Sequence, residues 1–232
     1  MRLGLVSTTI GGEINIFDSE QRRFVTGGVT IDASEVTAVN NEKLLKAGTV
    51  LGKQDNGLYV PVTDMVKASK VTGAVADNNA ILWTAVNPGD AGEDIKVALV
   101  NPSANSQDLA VSVIGDAVSV SLKTGDGGAI ESTANEVIAA VNAHLTAKTL
   151  VVAAKSSTSS GAGVVAAVAP AALAGGADWN VTPACVLAED VDVTDGVDAA
   201  ASAVDMARLI GARLPATIQP EVLAVLHGIT VV

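Results

Sequence analysis

The chain has 232 residues, and its 25 acidic and 14 basic side chains leave a formal charge of −11, which argues against wrapping nucleic acid, a polyanion bound mainly through its phosphates. Hydrophobic residues make up 49% of it and aromatics only 2%, so the core is built from Val, Ala, Leu and Ile. Such side chains each bury little area, worth roughly 25 cal/mol per Å², and stability then leans on many strands or on cover from neighbouring subunits.

Residues 1–42 read as an arm. Its opening, MRLGLVSTTIGGEINIF, has no continuous apolar stretch of the kind a secretory signal needs. Gly11-Gly12, Gly27-Gly28 and Asn40-Asn41 separate short β-prone pieces at Glu13 to Phe17, Val29 to Ile31 and Val36 to Val39. Pieces this short order best by pairing with another sheet, from this chain or a partner; the plain alternative is a leader that packs on its own domain.

Next comes LLKAGTVLGKQDNGLYVPV, from Leu44 to Val62. Gln54-Asp55-Asn56-Gly57 supplies an Asn-Gly turn between two apolar limbs, which predicts a hairpin. Pro61 lacks an N–H and suits the end of the second limb. Val71 to Ala76 continues as a small-residue strand and closes the first half of a core domain over 43–76 and 179–232.

From about residue 77 to 178 the texture changes, and an α+β insert is expected. Strands are predicted over Ile81 to Val86 and Ile95 to Val100. Leu109 to Ile114 and Val118 to Leu122 alternate strictly about Gly115-Asp116, a two-residue hairpin. Thr133-Ala134-Asn135-Glu136 is a capping box opening a helix with Val137, Ile138, Val141 and Leu145 on one face. Thr149 to Ala154 reads as a buried strand, Ser156 to Gly163 as a loop, and Val164 to Leu173 as a strand or short helix. No apolar run reaches the roughly 18 residues of a membrane span.

The return stretch PACVLAEDVDVTD, Pro183 to Asp195, pairs an apolar strand with crowded acids: Glu189, Asp190, Asp192, Asp195 and Asp198. Carboxylates at this density suit a Ca²⁺ site, but D-x-D-x-x-D-G is one place out of the calcium-loop spacing, and Val191 and Val193 alternate as in a half-buried edge strand. Val204 to Leu214 fits helix or strand. Pro220 and Glu221 open a final helix that Gly228 ends, and Ile229 to Val232 closes as a strand.

No catalytic set announces itself. Cys185 is the single cysteine, so there is neither an internal disulfide nor a metal cluster; within an apolar strand it reads as a small buried hydrophobe. Cys185 with His227 is the one thiol pair available, and no serine lies in a G-x-S-x-G setting. His144 has no ligand partner at metal spacing. No enzyme, no cofactor and no metal site are therefore expected.

KAGTVLGK, GLYVPV, ACVLAEDVDVTDG and the helix running into HGITVV, in that order and led by GGVTIDASEVTA, resemble the bacteriophage head decoration family typified by the lambda head-stabilising protein. The resemblance covers about residues 43 to 76 and 179 to 232. It implies a mainly β (α+β) protein: a small β-rich domain of the β-tulip type interrupted by the α+β insert. It implies a homotrimer on the outer surface of the expanded capsid, made in the host cytoplasm and partnered by the major capsid protein, with neither nucleic acid nor membrane involved. Val25, Gly27, Gly28, Val29, Thr30 and Ile31 become the capsid-binding part of the arm. Thr49, Val50, Leu51, Tyr59, Val60, Cys185, Val186 and Leu187 become core strands, and Ala207 to Ala212 a strand. The insert, with TAVNPGDAGEDIKVAL, STANEVIAAVNA and ALAGGAD, resembles a module of phage tail-sheath and other virion-surface proteins. That implies a second reading, a tail-surface or carbohydrate-adhesive protein whose insert takes a host-surface glycan.

Overall fold

The computed structural model describes residues 15–232. The chain is mainly β and divides into two compact units: one built from the residues up to Asp64 together with Trp179–Val232, the other Met65–Asp178. The insert therefore begins at Met65, not at residue 77.

The barrel unit starts with β1 (Arg23–Phe24), β2 (Val29–Ile31), β3 (Leu44–Leu45), β4 (Val50–Lys53) and β5 (Tyr59–Pro61). The predicted hairpin is present, with Lys53 opposite Tyr59 and Leu51 opposite Pro61. Its turn forms because Gly57 takes φ +89° while the Asn56 carboxamide oxygen accepts from the Leu58 N–H at 2.9 Å, the local bond that makes Asn a turn residue. Val36 to Val39 is not a strand: Ala33–Glu35 is a 3-10 turn capped by Asp32, and Val39 makes only a bridge to Glu42.

The insert holds β6 (Ser69–Thr72), β7 (Ile81–Ala85), β8 (Lys96–Val100), β9 (Ala110–Ile114), β10 (Ala117–Ser121), α1 (Ala134–Ala143), α2 (Ala147–Leu150), β11 (Val151–Lys155) and β12 (Val168–Ala172). The strand expected over Val71 to Ala76 is β6, and it pairs with β7, which is why it belongs to the insert. Two sheets, ordered β12-β8-β10-β9 and β11-β7-β6, enclose one core with α1 and α2. Trp83 is fully buried there, and its indole N–H donates to Thr72 Oγ1 at 2.9 Å, which removes the cost of hiding that donor. The capping box at Thr133 and Glu136 is complete. Leu145 falls beyond the helix end and is 77% exposed, and Thr149 and Leu150 lie in α2 rather than in a strand.

The chain returns through β13 (Pro183–Leu187), β14 (Val191–Asp192), β15 (Ala199–Ala201), β16 (Ala203–Leu209), α3 (Pro220–Val225) and β17 (Ile229–Val231). Val204 onward is a strand despite the helical propensity of Met206, Ala207 and Leu209, because it pairs with β1, β13 and β17; tertiary pairing outweighs propensities of a few tenths of a kcal/mol. Residues 211–213 form a 3-10 turn. Gly228 is not a left-handed helix cap. A Cβ there would meet the Asp205 carbonyl oxygen, so the glycine lets the chain after α3 lie against β16.

The main sheet runs β1-β16-β13-β4-β5-β2-β15 and closes on itself. Arg23 faces Met206, the Val25 N–H donates to the Ala203 carbonyl at 2.9 Å, and Val29, Thr30 and Ile31 face Ala201, Ala200 and Ala199. β1 and β2 are thus one bent strand lying along a second bent strand, β15 with β16, and closure removes the open edges. One face of the closed sheet holds Val29, Ile31, Leu51, Cys185, Leu187 and Ala203. The opposite face holds Val186, Val204 and Leu209, in one cluster with Val222 of α3 and with Ile229 of β17, which pairs beside β16.

Candidate interaction surface

The residues expected to form a capsid-binding arm are instead a wall of the barrel. Val29 and Ile31 are buried, and Thr30 is paired to Ala200. Ile31 also faces Tyr59 on its other side. Val25 is tied to Ala203, and Gly27 and Gly28 take φ +86° and +73°. These two glycines make the bend between β1 and β2, and a Cβ on Gly28 would stand 3.0 Å from the Ala201 carbonyl oxygen. Farther upstream the chain is also held: the Ile210 N–H donates to the Ile16 carbonyl (2.8 Å), the Asp18 N–H to the Arg208 carbonyl (2.9 Å), and Arg208 pairs with Asp18. The physical reason is an intrachain partner: residues 199–210 pair with the leader at Ile16 to Asp18, at Arg23 to Val25 and at Val29 to Ile31. The arm expectation for residues 1–14, and the start of the Glu13 to Phe17 piece, lie outside the described residues.

Val50, Leu51, Tyr59, Val60, Cys185, Val186 and Leu187 lie in β4, β5 and β13, while Thr49 falls just before β4. Val50 faces Val186, Leu51 faces Cys185, and Tyr59 and Val60 face Lys53 and Gly52; Thr49 gives its carbonyl to the Leu187 N–H at 2.9 Å. Burial pushes the Cys185 thiol up to about 12, with the Asp205 charge adding to the shift, so it stays protonated and unreactive at neutral pH. His227 is exposed beyond α3.

The acidic stretch is spent on the backbone. Glu189 accepts from the Ser202 N–H (2.8 Å), Asp190 from the Ala47 N–H (2.8 Å) and from Lys46 Nζ (2.8 Å), Asp192 from Thr194, Asp195 from Val197 and Asp198 from the Ala33 N–H (3.0 Å). Each carboxylate thus fixes a different turn or strand end, a strong use of a charged acceptor. β14 pairs with β3, and Val191 and Val193 are buried. Among the described residues no group of His, Cys, Asp or Glu converges as a metal site, and no helix is long and apolar enough to cross a membrane.

One surface feature was not singled out from the sequence. A groove of about 390 Å³ in the barrel unit is lined by Phe17, Arg22, Phe24, Glu189 and Asp190 among others. The Arg22 guanidinium carbon lies 4.6 Å from the Phe17 ring centroid and 5.6 Å from that of Phe24, within cation–π range. These are the only two phenylalanines of the chain, and Phe24 is 46% exposed. An aromatic-poor protein that leaves such rings in a groove beside an arginine offers residue types enriched at protein interfaces. The signal was in the sequence, as phenylalanines flanking Gln21-Arg22-Arg23.

Comparison of the chain with protein-family models, with curated proteins and with solved structures finds no match in any of the three.

Proposed function

We propose that this protein is a non-enzymatic decoration protein of a bacteriophage head, a homotrimer that coats the outside of the expanded capsid and clamps neighbouring major capsid subunits. The observation that carries the reading is the pairing of Val50 with Val186. It makes neighbouring strands of the two distant stretches on which the family resemblance rests, while residues 65–178 form a unit of their own. With residues 15–31 built into the barrel, the groove at Phe17, Arg22 and Phe24 is the described surface assigned to the shell. Main-chain and polar contacts are worth about 0.5 to 1.5 kcal/mol net each, and three copies of a weak contact on one trimer give avid binding.

Quantitative mass spectrometry of heads and tails separated from virions of the encoding phage tests the proposal. The expected result is a chain found in heads at copy numbers that track the major capsid protein. A chain confined to tails, or absent from virions, refutes it.

A further inference from the structure

The insert's two sheets have edges at β12 and β9 in one and at β11 and β6 in the other. Three of these are closed. In β12, Pro170 lacks an N–H and the register slips between Val168 and Ala171. At β11, Asn142 of α1 imitates a strand: its carboxamide accepts from the Ala153 N–H at 3.0 Å and donates to the Ala153 carbonyl at 2.8 Å. At β6, Ser69 exchanges main-chain hydrogen bonds with Ala174 at 2.8 and 3.0 Å. Such devices are how proteins keep strand edges from pairing with other chains.

β9 has none of them. It runs in unbroken register with β10, Ala110 opposite Ser121 to Ile114 opposite Ala117, and contains neither Pro nor Lys. Gly115 at φ +58° begins a two-residue type II′ link, so the flanking pair Ile114 and Ala117 is hydrogen bonded. By alternation, Val111 and Val113 turn their N–H and C=O groups away from β10, and neither has a main-chain partner there among the described residues. Their side chains go inward, packed on the core that Ile138 and Leu150 also adjoin. Ile114 points outward and is 82% exposed.

We infer that β9 is a self-pairing edge: two copies of this chain join their inserts through an antiparallel β9–β9 ladder centred on Val111. Local charge fits a second copy along this strand. Two copies at −11 each repel, yet residues 109–115 form an uncharged run between Asp108 and Asp116. Centring on Val111 sets it against its own counterpart, Val113 against Leu109, Ser112 against Ala110 and Ile114 against Asp108. No carboxylate meets its counterpart in that register, whereas centring on Ser112 sets Asp108 against Asp116. The outward groups of Val111 and Val113 fall on the hydrogen-bonded positions of the new ladder. The contact is isologous and joins copies in pairs, and it does not depend on the capsid reading.

Sedimentation velocity of the full chain over a wide concentration range is the test, with three variants shown to be folded by their thermal melts. Val111→Pro removes an outward N–H but no bond to β10, since Val111 and Val120 are a non-hydrogen-bonded pair, and Pro is tolerated at such an edge. Ile114→Asp sets like charges opposite Asp108 at both ends, and Ile114→Lys sets opposite charges there. The expected result is a concentration-dependent rise in mass, to at least double, that weakens about tenfold or more in Val111→Pro and Ile114→Asp and persists in Ile114→Lys. Wild-type protein of unchanging mass overturns the proposal, as does association that Val111→Pro and Ile114→Asp leave intact. Equal loss in Ile114→Asp and Ile114→Lys overturns the register. Should Val111→Pro fail to fold, the opposed Ile114 variants still decide.

Discussion

Val50 and Val186 stand opposite one another in an antiparallel ladder, and both turn their side chains to the α3 side of the closed sheet, while their neighbours Leu51 and Cys185 turn to the other side. Both faces of this ladder are therefore packed, and small changes of volume along it are costly.

Gly52 is the sharpest case. A Cβ there would collide with the Val181 side chain and stand 2.6 Å from the Thr182 carbonyl oxygen. Gly52→Ala is expected to destabilise the barrel unit by about 1 to 3 kcal/mol. Chemical denaturation followed by hydrogen exchange should show the loss in β4 and β13, with exchange in β7 and β8 of the insert unchanged.

Cys185 should resist modification. With its thiol pushed up to about 12 by burial, the folded protein at pH 8 is expected to react with a disulfide reagent only as fast as it unfolds, and the denatured protein at once. Rapid labelling without denaturant would contradict the assigned burial.

Asp190 supplies a pH dependence. Burial pushes its carboxyl up, but the hydrogen bonds from Lys46 and from the Ala47 N–H outweigh this and hold it below the ordinary value. A depressed folded value means stability that is present above about pH 4, where the unfolded carboxyl is ionised, and lost as pH falls through the folded value. Because Lys46 is half exposed, the ion pair is worth about 0.5 to 1 kcal/mol. Asp190→Asn should cost about that much in urea denaturation at neutral pH, and the difference from wild type should vanish in strong acid.

The insert offers an independent check. Thr133 accepts from the Glu136 N–H while Glu136 accepts from the Thr133 N–H at 2.7 Å. Thr133→Ala should cost about 1 kcal/mol and raise amide exchange through α1, without effect on β13 or β16. Equal protection of α1 in both proteins would show that packing alone holds the helix.

The elements that were legible in the sequence are those whose signal is local. The Asn56-Gly57 turn, the Gly115-Asp116 link and the Thr133 capping box each carry their instruction within four residues. What was missed depends on distant partners. Val29 to Ile31 reads as a short strand in want of a sheet, and nothing nearby reveals that Ala199-Ala200-Ala201, a poor strand former, completes it. The division after Asp64 was hidden because Ser69–Thr72 has the same small apolar texture as the barrel strands and differs only in pairing with Ile81–Ala85. Glu189 to Asp198 read as an edge or an ion site because composition does not show that its carboxylates reach main-chain N–H groups as far away as Ala33 and Ala47.

The closure of the barrel sets an order of events on the ribosome. Met65–Asp178 is a compact unit with its own core and is expected to fold once it leaves the exit tunnel, as domains generally do during synthesis. The bent strand of β1 and β2, joined to β5 only at Ile31, must wait for its long partner until residues 199–209 are translated. A nascent chain stalled before Ala199 is therefore expected to display a finished insert on an unfinished frame.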